Sequence, residues 1–465
     1  MPRYQSRLQL RKHDLKRADA VADRRPNTDA QGGGRFTGAK GPGQRRTNMT
    51  DVVLSGMAII ALVFIPAFGT LAAATFTMAS LTLLLLRAHE LGGRLLALWP
   101  LFLLPLLAII STAWSDAPPL TMRGGLELLI TFLAAVVVAS QCDARTSIAL
   151  LFTGFFLVCL LSLPDAPQAI RLGTPMRGIF ASKNLLGYNA QYLELFALAV
   201  MFDSKRPTWV RATCLPALAV AWLQVYLSRS AGAQINAVLT LVIYISLLQL
   251  GRLQIGARAV LVVTISVIFA ASIAFNTILM TALSSLRGSL GKDATLTGRT
   301  DLWSLADQVA SQSPWLGRGF NSFWRLGNLD AEAMWRKFGI LNRTGFNFHN
   351  GYIEMNVDLG MIGAGLLIGT CVVISMIGLV RLVQQPTLPN CVFLTINASI
   401  YLRELSEAGF ISPFGAITAL WLVAATYTLR NQNLPAAVAR KGGNPIQSRR
   451  IDLTRGRSVQ QRTSV

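Results

Sequence analysis

One histidine of this chain lies where it could move a proton. His349 is one of three histidines and occupies FHNGYIEMNVDLGMIG, where a long polar stretch meets an apolar run. An imidazole titrates near neutral pH and is the usual side chain for general acid–base chemistry. A single loop histidine is nevertheless more often a structural hydrogen-bonding group, and no second His or Cys offers a metal site with it. The residue type alone leaves both roles open.

Several cationic residues recur in connections between apolar runs. They are Arg177 and Lys183 in RGIFASKNLLG, Arg229 in LSRSAGAQ, Arg299 in LTGRTDLW and Arg403 in YLRELSE. Because Arg presents a planar fork of N–H donors, a cavity lined by several could bind a diphosphate. An Arg at the end of a span can also reach lipid headgroups or pair with an acid. Pairing is favoured for Arg403, since Glu407 follows one helical turn later, whereas both roles stay open for Arg229.

Acidic and aromatic residues form a second group of candidates. Glu194, Glu354 and Asp358 lie in or beside apolar segments, where ionisable groups are costly and suggest function. They could equally pair with the arginines. Four of the nine tryptophans, including Trp303, occur in the segment 280–351. Tryptophans there could stack on sugar rings or anchor the chain at a membrane interface.

The apolar composition predicts the elements that position these side chains. Of 465 residues, 52% are hydrophobic and only 14% are charged, against about 25% charged in soluble domains. The apolar residues fall in runs long enough to cross about 30 Å of hydrocarbon as helix. The sequence therefore predicts an all-α, polytopic bundle of about twelve spans. They are expected at 52–68, 70–86, 95–112, 124–140, 146–163, 184–202, 209–227, 233–250, 258–279, 352–380, 388–402 and 411–429.

The distribution of Lys and Arg predicts the orientation of these spans. Cytoplasmic connections carry the excess of positive charge, which favours both termini in the cytoplasm of a bacterial inner membrane. The outer, periplasmic connections are then 113–123, 164–183, 228–232, 280–351 and 403–410. Only 280–351 is long, and loops of that length are usually functional or disordered. Two helices are predicted in it, one from Thr297-Gly298 to Pro314 and one at about 330–337.

Basic tails flank the predicted membrane domain, 49–430. They dominate the net charge of +21, and basic tails beside spans reflect topology and attraction to anionic lipid more often than nucleic-acid binding. Residues 1–48 and 431–465 are expected to be cytoplasmic. The first tail is expected to be disordered and lacks a signal peptide, and Met49 is an alternative start of the chain. The five cysteines are expected to be small buried hydrophobes.

The order of the motifs resembles the O-antigen ligase and polysaccharide polymerase superfamily. An SRS element precedes a long loop with TGRTDLW and PWLGRGFNSFW, and HNGYIE then enters the next span. The spacing from the His-Asn pair to Gly360 and Gly363 matches the family's signature. RGIFASKNLLG is most similar to exopolysaccharide repeat-unit polymerases. The resemblance covers about 175–365, and the long basic N-terminal tail departs from it.

The resemblance implies a membrane glycosyltransferase with a periplasmic active site and no metal or other cofactor. Its donor would be an oligosaccharide on undecaprenyl diphosphate. The family's histidine falls on His349, and its two essential arginines fall on Arg229 and Arg299. Arg177 and Lys183 match motif positions. The further candidates for substrate binding are Asn350, Glu354 and Trp303.

Four functions remain open at this point. The leading interpretation is a polymerase that joins lipid-linked repeat units for exopolysaccharide or O-antigen. The same-class alternative is a ligase that transfers glycan to lipid A-core or another acceptor, since the two differ only in an acceptor that the sequence does not reveal. A flippase for lipid-linked oligosaccharide and a non-catalytic partner of a secretion complex are the other two. A polymerase would also fit a complex with a chain-length regulator.

Overall fold

Helices form every regular element in the described part of the chain. The computed structural model describes residues 48–264 and 299–430, and these ranges contain no β-strand. The predicted helical class is therefore confirmed for them. The helices are α1 Met49–Phe68, α2 Thr70–Leu86, α3 Ala88–Ala97, α4 Leu103–Ile110, α5 Pro118–Gln141, α6 Ala144–Ser162, α7 Ala166–Leu172, α8 Lys183–Met201, α9 Thr208–Ala212, α10 Cys214–Leu227, α11 Ala231–Leu250, α12 Ile255–Thr264, α13 Arg299–Gln312, α14 Leu329–Lys337, α15 Gly351–Gln384, α16 Leu388–Arg403 and α17 Ala416–Leu429.

Six described helical segments are long and apolar enough to cross a membrane. They are Met49–Phe68, Pro118–Gln141, Ala144–Leu172, Thr208–Leu227, Ala231–Leu250 and Gly351–Gln384. A seventh results if α2 and α3 count as one span, although the chain bends by 106° between them. These lengths support a helical membrane protein, while twelve spans remain a prediction. Both tails, the run beyond residue 264 and the loop as far as residue 298 lie outside the described residues.

Helix α8 occupies the interior of the bundle. Most of its residues are buried, and its polar side chains find partners on neighbouring helices. Gln191 donates to Thr240 of α11 at 2.9 Å and to Ser399 of α16 at 2.7 Å. Asn236 donates to the Gln191 side-chain oxygen at 3.0 Å. Such hydrogen bonds between membrane helices fix their mutual positions, so α8, α11 and α16 form a common frame.

Side-chain caps begin three helices next to candidate residues. The caps are Ser182 for α8, Ser230 for α11 and Asn350 for α15. Each cap oxygen accepts backbone N–H groups that have no partner inside the helix. Lys183 directly follows one cap, while Arg229 and His349 directly precede the other two. Three candidate residues are thus placed at helix N-termini, where partial positive charge favours an anion.

The described part of the long loop packs into a small hydrophobic cluster on α15. Helices α13 and α14 confirm the two predicted loop helices. Their apolar faces, with Trp335 on α14, form one cluster with Phe323 and Phe348 and with Val357 of α15. Trp324 packs against Phe348 with ring centroids 4.8 Å apart. This cluster anchors the residues just before His349.

A break in α15 receives the loop segment that contains PWLGRGF. Gly360 has φ +65° and interrupts the helix, which frees nearby backbone groups for the loop. The Met361 amide donates to the Pro314 carbonyl at 2.8 Å, and the Gly319 amide donates to the Asp358 carbonyl at 2.9 Å. A Cβ on Gly360 would lie 2.3 Å from the carbonyl carbon of Trp315. This backbone contact explains why glycine stands there.

Replacing Gly360 with Ala should destabilise the protein strongly. Gly360 has φ +65° and ψ −168°, a region essentially restricted to glycine, where another residue costs about 1–3 kcal/mol, and the clash with the Trp315 backbone adds to this cost. Gly365→Ala is the matched control, because a Cβ there meets nothing within 4 Å. Thermal unfolding in detergent should show a lower midpoint for Gly360→Ala and an unchanged or higher one for Gly365→Ala. Equal midpoints for Gly360→Ala and wild type would contradict the packing argument.

Candidate active site

A buried carboxylate, Glu407, joins two of the predicted site residues. Its Oε2 lies 3.5 Å from Nδ1 of His349, and its Oε1 lies 3.4 Å from Nη2 of Arg299. The same Oε1 accepts a 2.9 Å hydrogen bond from Asn184. Residues distant in sequence thus meet around one acid: α8 contributes Asn184, α13 contributes Arg299, and the start of α15 holds His349.

The predicted pairing of Arg403 with Glu407 is wrong. Arg403 instead pairs with its neighbour Glu404 and lies over the Tyr188 ring, 4.7 Å from its centroid. Helix α16 ends at Arg403, and the Glu407 amide still donates to the Arg403 carbonyl at 3.0 Å, so Glu407 lies one turn further along the chain. Its carboxylate contacts His349 and Arg299 instead of pairing with Arg403. The i,i+4 spacing brings two residues near each other but does not decide which partner a carboxylate takes.

A second cationic group lies next to this acid-centred cluster. Arg229 donates from Nη1 to the Gly173 carbonyl at 2.5 Å, and Lys183 Nζ lies 3.4 Å from the Arg229 carbonyl. Lys183 is the sequence neighbour of Asn184, which bonds to Glu407. The two groups are therefore linked through the first turn of α8. Both side chains are exposed, so they remain free to contact a ligand.

Arg177 lies apart from this contact network. Its backbone amide donates to Asp165 at 3.0 Å, and its exposed side chain makes no hydrogen bond or ion pair to the described residues. The RGIFASKNLLG motif therefore contributes Lys183 and Asn184 to the network around Glu407, but not the Arg177 side chain.

His349 and Arg229 adopt a backbone conformation that non-glycine residues seldom take. Their φ angles are +52° and +48°. Such conformations are energetically unfavourable for these residue types and concentrate at active sites and ligand clamps. Finding them at two residues singled out from sequence on independent grounds supports a functional role for both.

The peptide before His349 is held from both sides. The Phe348 amide donates to Glu354 at 2.9 Å, and the Phe348 carbonyl accepts from Trp303 at 2.8 Å. Trp324 donates to the other Glu354 oxygen at 2.8 Å. Glu354 and Trp303, predicted to bind substrate, thus make contacts that position His349. Neither carboxylate oxygen of Glu354 contacts an arginine among the described residues.

Asn350, another residue predicted to bind substrate, forms hydrogen bonds that hold the start of α15 in place. Its Oδ1 caps α15, and its Nδ2 donates to the Leu405 carbonyl at 3.3 Å. The Gly351 amide donates to the Glu404 carbonyl at 2.9 Å. These bonds tie the start of α15 to the connection that carries Glu407.

The other acidic candidates lie outside the cluster. Asp358 accepts a 3.0 Å hydrogen bond from the Asn321 amide in the loop. Glu194 is buried in α8, and neither of its oxygens has a hydrogen-bond partner within the described ranges. Neither residue pairs with a described arginine. All five cysteines are free and buried, which confirms the prediction for them.

The electrostatics of the site favour an ionised Glu407. Burial raises its pKa, but contact with His349 and the charges of His349, Arg403 and Arg299 outweigh burial, so the pKa of Glu407 lies below its ordinary value. A carboxylate beside Nδ1 favours the tautomer with a proton on Nδ1 and a free lone pair on Nε2. The 3.5 Å separation is longer than a strong hydrogen bond, as is frequent before substrate binds. The arrangement can therefore supply a general base next to fixed positive charge.

The predicted outer connections meet at one end of the described bundle. Asp116 of 113–123 pairs with Arg318 of the long loop at 2.9 Å. The other four connections, 164–183, 228–232, 280–351 and 403–410, are joined by the contacts of Lys183, Arg229, His349 and Glu407. Sequence reasoning missed Glu407 and Asn184, and the only available signal was their position inside or next to predicted outer connections.

Comparison with known proteins identifies the family of this chain. The family described as O-Antigen ligase matches residues 216–368, a range that contains Arg229, Arg299 and His349. The exopolysaccharide production protein ExoQ of Rhizobium meliloti (strain 1021) is 31% identical over 329 residues, which cover 70% of this chain and 75% of that protein. The chain therefore belongs to the O-antigen ligase and polysaccharide polymerase superfamily and acts in polysaccharide assembly.

Proposed function

We propose that this protein is an inner-membrane polymerase that joins oligosaccharide repeat units carried on undecaprenyl diphosphate. The relative's name refers to exopolysaccharide production, which favours a polymerase that makes this class of polymer. The active site would face the periplasm, with both termini of the chain in the cytoplasm. The observation that carries the proposal is the contact of Glu407 with both His349 and Arg299.

The proposed reaction is an inverting displacement at an anomeric carbon. His349 Nε2 takes the proton of an acceptor hydroxyl, whose oxygen attacks the anomeric carbon of the donor. The bond from that carbon to the diphosphate oxygen breaks, and the lipid diphosphate leaves with the electron pair. General base catalysis of this kind contributes about 10²–10⁴ in rate.

Arg229 and Arg299 would stabilise the leaving diphosphate. Negative charge grows on its oxygens as the bond breaks, and fixed cationic donors placed there lower the barrier. The N-termini of α8, α11 and α15 add partial positive charge on the same side. A metal ion is not required in this scheme because these groups supply the positive charge.

A ligase that transfers the finished glycan to a lipid acceptor is the second candidate. The name of the matching family, O-Antigen ligase, favours this function. The donor chemistry is the same, so the residues would keep their roles. A flippase would not need a positioned base, and its helices would more often show paired symmetry across the two halves.

Sizing of glycans separates these functions. A deletion strain would be complemented with wild-type protein or with empty vector, and its surface and lipid-linked glycans would be resolved by length. A polymerase predicts single repeat units on the carrier when the protein is absent, whereas a ligase predicts long chains on the carrier. Unchanged glycans in the deletion strain would exclude both activities.

Replacing Glu407 with Gln should change the pH dependence of polymerisation. Gln keeps the size of the side chain but carries no charge and does not titrate, so the part of the acidic limb of the pH–rate profile that depends on ionised Glu407 should disappear. Because folding lowers the pKa of Glu407, its ionised contacts stabilise the fold above the unfolded pKa and are lost as pH falls through the folded pKa. The rate profile and thermal unfolding should be measured together. A lower rate with an unchanged acidic limb would mean that Glu407 only maintains structure.

A further inference from the structure

A cleft opens in the bundle far from His349. It has a volume of about 790 Å³ and lies between α3–α4 on one side and α15 with the end of α17 on the other. Leu101, Val373 and Ile374 line its walls, and Gly365 and Gly369 leave open space along α15. The size falls within the range of about 300–1,000 Å³ typical of ligand sites. An apolar cleft of this kind suits hydrocarbon chains.

Two arginines stand at the mouth of the cleft. Arg94 donates to the Ser140 carbonyl, and Arg430 donates to the carbonyls of Ala139 at 2.6 Å and Cys142 at 3.4 Å. Both guanidinium groups therefore gather at the C-terminal end of α5. Burial is the main cause that lowers the pKa of Arg430, and the charge of Arg94 acts in the same direction. Two like charges thus lie close enough to repel each other.

No described carboxylate forms an ion pair with Arg94 or Arg430. Each guanidinium has five N–H donors, and carbonyl groups use only some of them. The remaining donors can bind the oxygens of a phosphate bidentately. An anion bound between the two arginines would relieve their repulsion, which a neutral ligand would not do.

The surroundings of the cleft fit the headgroup level of a bilayer. Between α2 and α3 the chain bends by 106°, so α3 does not continue the direction of the preceding span. Leu96 and Trp99 follow the bend and are 73% and 57% exposed. Tryptophan is enriched at the membrane–water boundary, where arginines also meet lipid phosphates. A lipid phosphate can therefore reach the arginines while its chains enter the cleft.

We propose that this cleft binds one anionic glycerophospholipid, with its phosphate on Arg94 and Arg430 and an acyl chain along Gly365 and Gly369. The site is separate from the proposed active site. Helix α5 has 24 residues, and at 1.5 Å per residue it places the arginines about 36 Å from its other end. That other end adjoins Asp116, which contacts the loop that carries His349. The bound lipid would hold α3, α15 and α17 together.

Native mass spectrometry of the purified full-length protein would test this site. The probes are phosphatidylglycerol and phosphatidylcholine with identical acyl chains. We expect one tightly bound phosphatidylglycerol, preferred roughly 30-fold, since each arginine near a lipid headgroup contributes about 1 kcal/mol. The double variant Arg94→Gln/Arg430→Gln should lose the preference. Equal binding of the two lipids to wild type would overturn the proposal.

A second variant keeps the test valid if the arginine variant fails to fold. Gly369→Leu places a side chain on the path proposed for the acyl chain, where a Cβ meets nothing within 4 Å, and it should abolish the tight binding of phosphatidylglycerol. Val372→Leu is the control, since Val372 is exposed on the same helix and does not line the cleft. Retained tight binding in Gly369→Leu would contradict the proposal. So would stabilisation of wild type and Gly369→Leu by inorganic phosphate to the same extent as by lipid, which would indicate a free-anion site.

Discussion

Replacing His349 with Asn is expected to stop polymer formation while the protein stays folded and inserted. The proposed base takes a proton from the acceptor hydroxyl, and an amide cannot do so. We expect a loss of roughly 10²–10⁴ in rate, seen as accumulation of single repeat units on the lipid carrier. The measurement is the size distribution of lipid-linked glycans in the complemented deletion strain.

The choice of Asn follows from the backbone at position 349. His349 has φ +52°, and Asn tolerates this left-handed conformation better than Ala does. A loss of activity in His349→Asn is therefore less readily explained by misfolding than a loss of activity in His349→Ala. His89→Asn is the control, because His89 is exposed on α3, in a predicted cytoplasmic connection, and none of the contacts around Glu407 involves it. Normal chain lengths with His349→Asn would mean that the histidine is structural and that the enzyme proposal is wrong.

The helical elements were predictable because their signals are local. Apolar runs and caps lie within a few residues of the helices they define, and α13 and α14 appear close to where periodicity and Pro314 placed them. The segment 95–112 shows the limit of such reasoning. Its apolar run is continuous, yet α3 ends at Ala97 and the apolar segment Trp99–Ala113 consists of α4 between two short 3₁₀ turns. Tertiary packing, which composition does not encode, decides between these outcomes.

The residues of the site were predictable individually, but their partners were not. His349 and Arg299 are unusual residue types in their segments, so each could be singled out alone. Glu407 meets His349 and Arg299 through contacts between distant parts of the chain, and no local pattern predicts such contacts. The same limit applies to Glu354 and Trp303. Their types suggest substrate contact, which stays a prediction, and the structure adds that both fix the Phe348 peptide.

Replacing Arg299 with Gln should lower the rate of transfer by about 10²–10³, the usual effect of removing one donor that stabilises developing charge. Arg299→Lys should recover only part of the loss, because Lys keeps the charge but lacks the planar fork of donors. Arg336→Gln is the control, since Arg336 is exposed on α14 and its Nε contacts only the Glu332 carbonyl, at 3.3 Å. Rates would be measured on membranes with purified lipid-linked repeat units.

The contact between Arg299 and Glu407 offers a second way to read this variant. If Arg299 served only as a counter-ion for Glu407, Arg299→Gln would leave that carboxylate less compensated, and the double variant Arg299→Gln/Glu407→Gln would recover the rate. If Arg299 binds the diphosphate, the double variant should be no faster than Arg299→Gln alone, because removing Glu407 cannot replace a lost donor. A wild-type rate in Arg299→Gln would leave Arg229 and Lys183 to hold the leaving group, and the proposed active site would then centre on the start of α8.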